Sequence, residues 1–237
     1  MAALTFTNVN TSIMNRLRIP TGNSTEAAKI DALTNDVIRE ICSKYDFPWL
    51  AKRQVINTVD DITTGTISVT KGSTTATLSA TQATSLTDRI IFVTGNAVEN
   101  ASYRISAHTG GSATVVLASA YTGATDTAAA YKVYQDEYDL AADVGKVLYV
   151  RRFGYPLPLR KVGWIDMLGL KNYDTSEGPP QLWAVHDYDT TGDNTTQKQL
   201  IIHPYPAETY QMEIHYKLQI NSTTEVSGST IIPIPQD

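Results

Sequence analysis

The chain has 237 residues, 42% of them hydrophobic and 18% charged, with a net charge of −5. That is enough apolar material for one large domain or two small ones, and the acidic balance argues against a general nucleic-acid-binding surface, which needs a basic excess. The one cysteine, Cys42, excludes an internal disulfide, and no apolar run approaches the length of a bilayer span. The first residues show no basic region followed by an apolar run, so the expectation is a soluble chain without a signal peptide, made in a reducing cytoplasm.

Residues 5–19 read as a first short helix, capped by Thr7 or Asn8, with Val9, Ile13 and Leu17 on its apolar side. Pro20 and Gly22 break it. A longer helix follows. Asn23 with Glu26 three residues on is a capping-box pattern, and Ala27, Ile30, Leu33, Val37 and Ile41 recur at spacings of three and four. Helix, break and longer helix predict a helical hairpin. Pro48 disfavours helix at the preceding residue, so the helix ends in the corner Tyr45-Asp46-Phe47-Pro48-Trp49-Leu50. Phe47, Trp49 and Leu50 are large apolar groups at a chain reversal, and packing back on the helix is their expected role. Cys42 sits beside the stripe as a small buried hydrophobe.

After Lys52-Arg53 the period changes from helix to strand. Residues 54–59 alternate, and from Gly65 short alternating strands follow one another. Residues 67–69 and 76–78 flank a Lys71-Gly72-Ser73 turn, which is a hairpin pattern. Further strands are expected at 89–93, 102–107, 114–118 and 131–134. Residues 62–135 thus read as an all-β sandwich or barrel module, with Leu78, Ile90 or Ile91, Phe92, Tyr103, Ile105, Val115 and Leu117 in its core.

Past Tyr138, residues 139–143 read as a connector and 146–152 as a buried strand carrying Val147, Leu148, Tyr149 and Val150. A Pro-rich turn, a helix at 163–170 and strands at 182–186, 199–203 and 208–220 complete the pattern. In the last strand Tyr210, Met212, Ile214, Tyr216, Leu218 and Ile220 face one way, and Gln211, Glu213, His215, Lys217 and Gln219 face a solvated side. The fold class expected is α+β: an N-terminal helical hairpin plus an antiparallel β core, with the β module inserted. The divisions are 1–61, the helical part of the core; 62–135, the inserted module; and 136–237, the β part of the core.

Chemistry-bearing motifs are sparse. His108, His186, His203 and His215 are isolated from one another, and zinc-ligand spacings are unmet. No G-x-S-x-G elbow or P-loop occurs. Asp187, Asp189, Thr191, Gly192 and Asp193 imitate the start of a calcium loop, but Lys198 occupies the twelfth position where a Glu is needed. The expected structure there is a polar hairpin tip. The Asp136-Glu137 pair is expected to be solvated. A glycosidase would need two carboxylates across a cleft, and no aromatic-rich groove pattern accompanies them. No catalytic residue, metal ligand or cofactor is assigned. Lys52, Arg53, Arg151 and Arg152 are the candidate interface residues, able to pair with an acidic subunit at a rim. Tyr45, Phe47, Pro48, Trp49 and Leu50 are the structural corner.

The order of several segments resembles the head–tail adaptor (connector) proteins of short-tailed bacteriophages. The helix ending in Phe47-Pro48-Trp49-Leu50 resembles that family's W/F-P-W/F-L corner. Tyr138-Asp139-Leu140-Ala141-Ala142-Asp143-Val144 resembles its Y-D-L-P-x-D-V segment, with Ala141 where Pro is usual. Pro156-Leu157-Pro158-Leu159, Gly178-Pro179-Pro180-Gln181-Leu182-Trp183-Ala184 and Leu200-Ile201-Ile202-His203-Pro204-Tyr205-Pro206 resemble its later motifs. The match covers most of residues 7–60 and 137–235, and order and spacing carry it. The β module is an insertion relative to the simplest members. Many members continue past the equivalent of Pro233 to Pro235 into helices that help bind the portal.

What the resemblance implies is a structural virion protein, without enzymatic activity, at the head–tail junction and made in the host cytoplasm. It would form a homo-oligomeric ring, a dodecamer, beneath the portal protein. The ring would extend the DNA channel, pass double-stranded DNA without sequence-specific binding, and offer a platform to tail nozzle or fibre proteins. No membrane is involved. The alternative reading is a tail or fibre protein whose β module binds a receptor or glycan.

Overall fold

The computed structural model describes residues 6–20, 22–45, 47–94, 102–173, 176–189 and 196–219. The fold is mixed α+β, with mostly antiparallel sheet pairing. By packing, the chain divides into two compact units, Met1–Gln54 with Ala141–Leu148 and His215–Asp237, and Val55–Leu140 with Tyr149–Ile214.

The first unit opens with α1 (Phe6–Arg16) and α2 (Ser24–Lys44). Asn23 caps α2 by accepting from the Glu26 N–H at 3.3 Å. The reciprocal half of the capping box is replaced: the Asn23 N–H donates to the Pro20 carbonyl at 3.0 Å, and Glu26 pairs with Lys29. The two helices meet through a polar contact. Asn10 is buried, donates to Asp31 and accepts from Thr34, which satisfies it.

The buried stripes differ from those predicted. In α1 they are Phe6, Asn10 and Met14, and in α2 Ile30, Asn35, Ile38 and Cys42. Leu17, Leu33 and Val37 point to solvent. The helices are rotated because Asn10, Thr34 and Asp31 join them, and a polar joint cannot be read as part of an apolar stripe. The corner does pack back. After a 3-10 turn at Pro48–Leu50, Leu50 is buried and Phe47 half-buried in a cluster with Phe6, Ile38 and Cys42. Tyr45 is exposed. The Trp49 side chain lies outside the described residues.

Strand β1 (Ala51–Asn57) leads into six strands: β2 (Ile67–Val69), β3 (Thr75–Leu78), β4 (Ile90–Thr94), β5 (Ser102–His108), β6 (Thr114–Leu117) and β7 (Asp126–Tyr134). They close into a barrel in the order β2-β3-β6-β5-β4-β7. Closure removes every free sheet edge. The β2–β3 turn needs Gly72, whose φ of +81° is open only to a residue without Cβ crowding. Ile67, Ile91, Ile105, Val115 and Val133 fill the centre. Phe92 is only half-buried, because alternation along β4 sends Ile91 and Val93 inward. Leu86 and the start of β7, a Thr/Ala-rich run, also join the core or barrel wall without a strong strand pattern.

The remaining elements are β8 (Glu137–Asp139), β9 (Val144–Arg152), β10 (Arg160–Lys161), α3 (Trp164–Tyr173), β11 (Leu182–Asp189), β12 (Thr196–His203) and β13 (Gln211–Leu218). One sheet runs β10-β11-β12-β8, and another β1-β13-β9. Met167 of α3 packs on Ala184 and Ile201, all with no exposed surface. In β9 only Val144, Val147 and Val150 are buried, while Leu148 and Tyr149 are open. In β13 Met212, Ile214 and Tyr216 are buried as expected, but so is Glu213 on the side predicted to be solvated. Its partner Arg151 on β9 is what allows a carboxylate there.

Candidate functional site: buried charge clusters and an exposed apolar surface

In the second unit, charged residues join the barrel to the four-stranded sheet. Chain order puts Asp136 and Glu137 directly after β7, so they leave the barrel and enter β8. Lys171 of α3 reaches both, at 2.7 Å and 2.9 Å. Arg104 of β5 pairs with Glu137 at 2.8 Å and with Asp88 at 3.2 Å. Asp136 is 4% exposed, so the expectation of a solvated acidic pair is wrong. The signal lay in Tyr134 and Tyr138, aromatic residues of flanking strand positions, both of which are buried here.

Burial pushes the Asp136 carboxyl up, against the pull of Lys171. Burial also pushes Glu137 up, but Lys171 and Arg104 outweigh it and hold that carboxyl below its ordinary value. Desolvation lowers Lys171, and the two carboxylates more than reverse it. Both acids are therefore engaged by one ammonium, which makes the group a clamp.

A second cluster lies on the same unit. Lys132 of β7 pairs with Glu177, donates to the Tyr205 hydroxyl at 3.1 Å and lies 3.7 Å from Asp61. Tyr205 stacks on Tyr134 with ring centroids 4.1 Å apart. Burial opposes the charge on Lys132, but its bonds to Glu177 and Tyr205 raise its pKa.

Two of the histidines have packing roles. His108 Nδ1 accepts from the Leu86 N–H at 3.1 Å and Nε2 faces the Ser112 carbonyl at 3.2 Å, so Nε2 carries the proton. His186 stacks on Trp164. Among the described residues no group of three His, Cys, Asp or Glu could hold a metal. Of the segment resembling a calcium loop, the described backbone of Asp187 and Asp189 belongs to β11, which pairs with β12. Asp187 pairs in register with Lys198 and binds its ammonium at 2.7 Å, while positions 190–195 lie outside the described residues.

The candidate interface residues fall as follows. In the first unit, Lys52 binds Asp143 at 3.0 Å, and Arg53 is exposed on β1. In the second, Arg151 holds Glu213, and the Arg152 guanidinium lies 3.9 Å from the Tyr155 ring centre.

Beyond Arg152 the chain makes the turn expected at residues 154–158. The Tyr155 N–H returns to the Arg152 carbonyl, and Gly154 adopts φ +77°. The Arg151–Pro158 bridge closes it. Its tip shows Phe153, Tyr155 and Leu157 at 65%, 55% and 71% exposure, and Ile165 of α3 is 81% exposed. In the first unit Leu17, Leu33 and Val37 are likewise open. No large apolar residue among those described in 62–134 is exposed. No helix among the described residues is long and apolar enough to cross a membrane.

No family model, curated protein or solved structure matches the chain.

Proposed function

We propose that this chain is a structural head–tail adaptor of a short-tailed bacteriophage. It would form a ring beneath the portal, extend the DNA channel and carry the tail proteins. In this reading the helical hairpin and the antiparallel strands are the adaptor core, and the barrel is its insertion. The order of motifs in residues 7–60 and 137–235 suggests it. One observation supports it most: among the described residues the exposed large apolar side chains sit just past α1, on α2 and just past it, on β1, on β9 with its turn and on α3, and none on the described barrel. Open apolar surface of that kind marks surfaces covered in an assembly. A polar barrel suits a decoration that stays in solvent. The net charge of −5 suits a channel wall that does not trap phosphates.

The isolated chain should be monomeric, and the ring should form on the portal. Each lateral contact must offset lost translational freedom, roughly 4–15 kcal/mol, which a preformed portal ring reduces by holding neighbours together. Mass measurement of the purified chain, alone and with portal rings, tests this. A stable ring without portal overturns the template mechanism, and no attachment to portal overturns the adaptor reading.

A further inference from the structure

The loop that follows β9 builds a pocket of about 220 Å³ on the second unit. One wall carries Arg152, Leu157 and Leu159, and the other Pro179 and Pro180. Backbone bonds fix both walls. The Leu159 N–H donates to the Val150 carbonyl at 2.8 Å and the Gln181 N–H to the His203 carbonyl at 3.0 Å. The Arg160 N–H donates to the Gln181 carbonyl at 2.9 Å, which ties one wall to the other. The prolines stiffen the walls further, because their φ is locked.

Arg152 is the charged group of this pocket. Its guanidinium lies over the Tyr155 ring, 3.9 Å from the centre, and over the Tyr210 ring at 5.2 Å. Among the described residues no carboxylate or carbonyl accepts a hydrogen bond from it. Its neighbour Arg151 differs, being held by Glu213. Stacking on aromatic faces fixes the plane of the guanidinium and leaves its in-plane N–H donors open. A planar fork of that kind matches a carboxylate through two parallel N–H···O bonds. A doubly charged phosphate calls for a second cation, and the lining supplies none. The volume is below the roughly 300–1,000 Å³ of small-molecule sites, so the pocket takes one or two side chains. Beside it Phe153, Tyr155 and Leu157 are mostly exposed, a surface that a small ligand leaves bare and a polypeptide covers.

We propose that the pocket docks an extended segment of a partner protein in which a glutamate or aspartate stands beside an apolar residue. The carboxylate takes the fork of Arg152, and the apolar side chain fills the space between Leu157, Leu159 and Pro180. Because the guanidinium is already stacked, little side-chain freedom is lost on binding. This proposal does not rest on the adaptor reading.

Selection of a random linear peptide library on the immobilised full chain tests it, followed by titration with a synthetic copy of an enriched peptide. Expected are enriched peptides with Glu or Asp next to an aliphatic or aromatic residue. Their affinity should fall about tenfold or more in Arg152→Gln, as when one partner of a desolvated charge pair is removed. Replacing the acid of the peptide by its amide should cost as much. Leu157→Asp, at a position 71% exposed, is a second variant that keeps the fold and should also weaken binding. Equal melting temperatures of the native chain and both variants show that the titration reads docking and not folding. No enrichment, enriched peptides without an acid, or an affinity unchanged in Arg152→Gln overturns the proposal. Self-association of the native chain that vanishes in Arg152→Gln overturns a separate partner in favour of a second copy. Portal rings play no part in this experiment, so its failure leaves the adaptor reading standing.

Discussion

Lys171 is the residue on which most buried charge depends. Removing it leaves Asp136 and Glu137 without the cation between them. Breaking one side of a buried pair costs about 3–5 kcal/mol, so Lys171→Met should lower the free energy of unfolding in urea by that amount. Unchanged stability would refute the clamp. The pH dependence follows from the directions of the shifts. Glu137 is held below its ordinary 4.5, so its contribution is present above that value and is lost as pH falls through the folded-state pKa. Asp136 is shifted upward and has the opposite sign, so ionised Asp136 costs stability at neutral pH. Lys171 is raised, and its contribution persists below its ordinary 10.5 and is lost above it. Glu137→Gln should therefore lose less stability than the native chain between pH 5 and about pH 3, read by urea unfolding at each pH. Equal acid limbs would show that Glu137 is not the group held.

At the scale of elements, α2 shows two faces with separate consequences. Ile38 is buried with Phe6 and Leu50, whereas Leu33 and Val37 are exposed. Truncating Ile38 or Leu50 to Ala should cost about 2–5 kcal/mol by cavity formation. Leu33→Glu with Val37→Glu should change monomer stability by no more than about 0.5 kcal/mol per site, as surface substitutions do. The same pair should weaken ring formation on a portal, measured by sedimentation. Assembly unaffected by both charges would remove the hairpin from the lateral contact. The β11–β12 hairpin gives a third expectation. Lys198 already neutralises Asp187, so added calcium should leave the melting temperature unchanged. A large rise in native protein that is absent in Asp187→Ala would overturn this.

For the whole molecule, the question is how far the barrel stands apart. It closes on itself and owns its core, from Ile67 to Val133. It also sends Arg104 to Glu137 and Lys132 to Glu177. Replacing residues 62–134 with a short Gly/Ser linker should thus leave a cooperatively folding remainder with a lower melting temperature, since both acids lose a partner. Loss of all cooperative unfolding in a thermal scan would show that the barrel belongs to the core.

Patterns of period and turn chemistry are local, and local features were legible. The sequence alone determined α1 and α2, the cap at Asn23, the corner after Lys44, the Gly72 hairpin and most barrel strands, because each follows from neighbours a few residues apart. It determined that Leu50 and Cys42 are buried. The tertiary structure decided which face of a helix is inside, because Asn10, Asp31 and Thr34 meet only when α1 lies against α2. It decided that six strands close, a matter of pairing β2 with β7 across some sixty residues. It decided the fate of charges. Asp136, Glu137 and Glu213 read as surface acids, and only the arrival of Lys171, Arg104 and Arg151 from distant strands and a helix allows them to be buried.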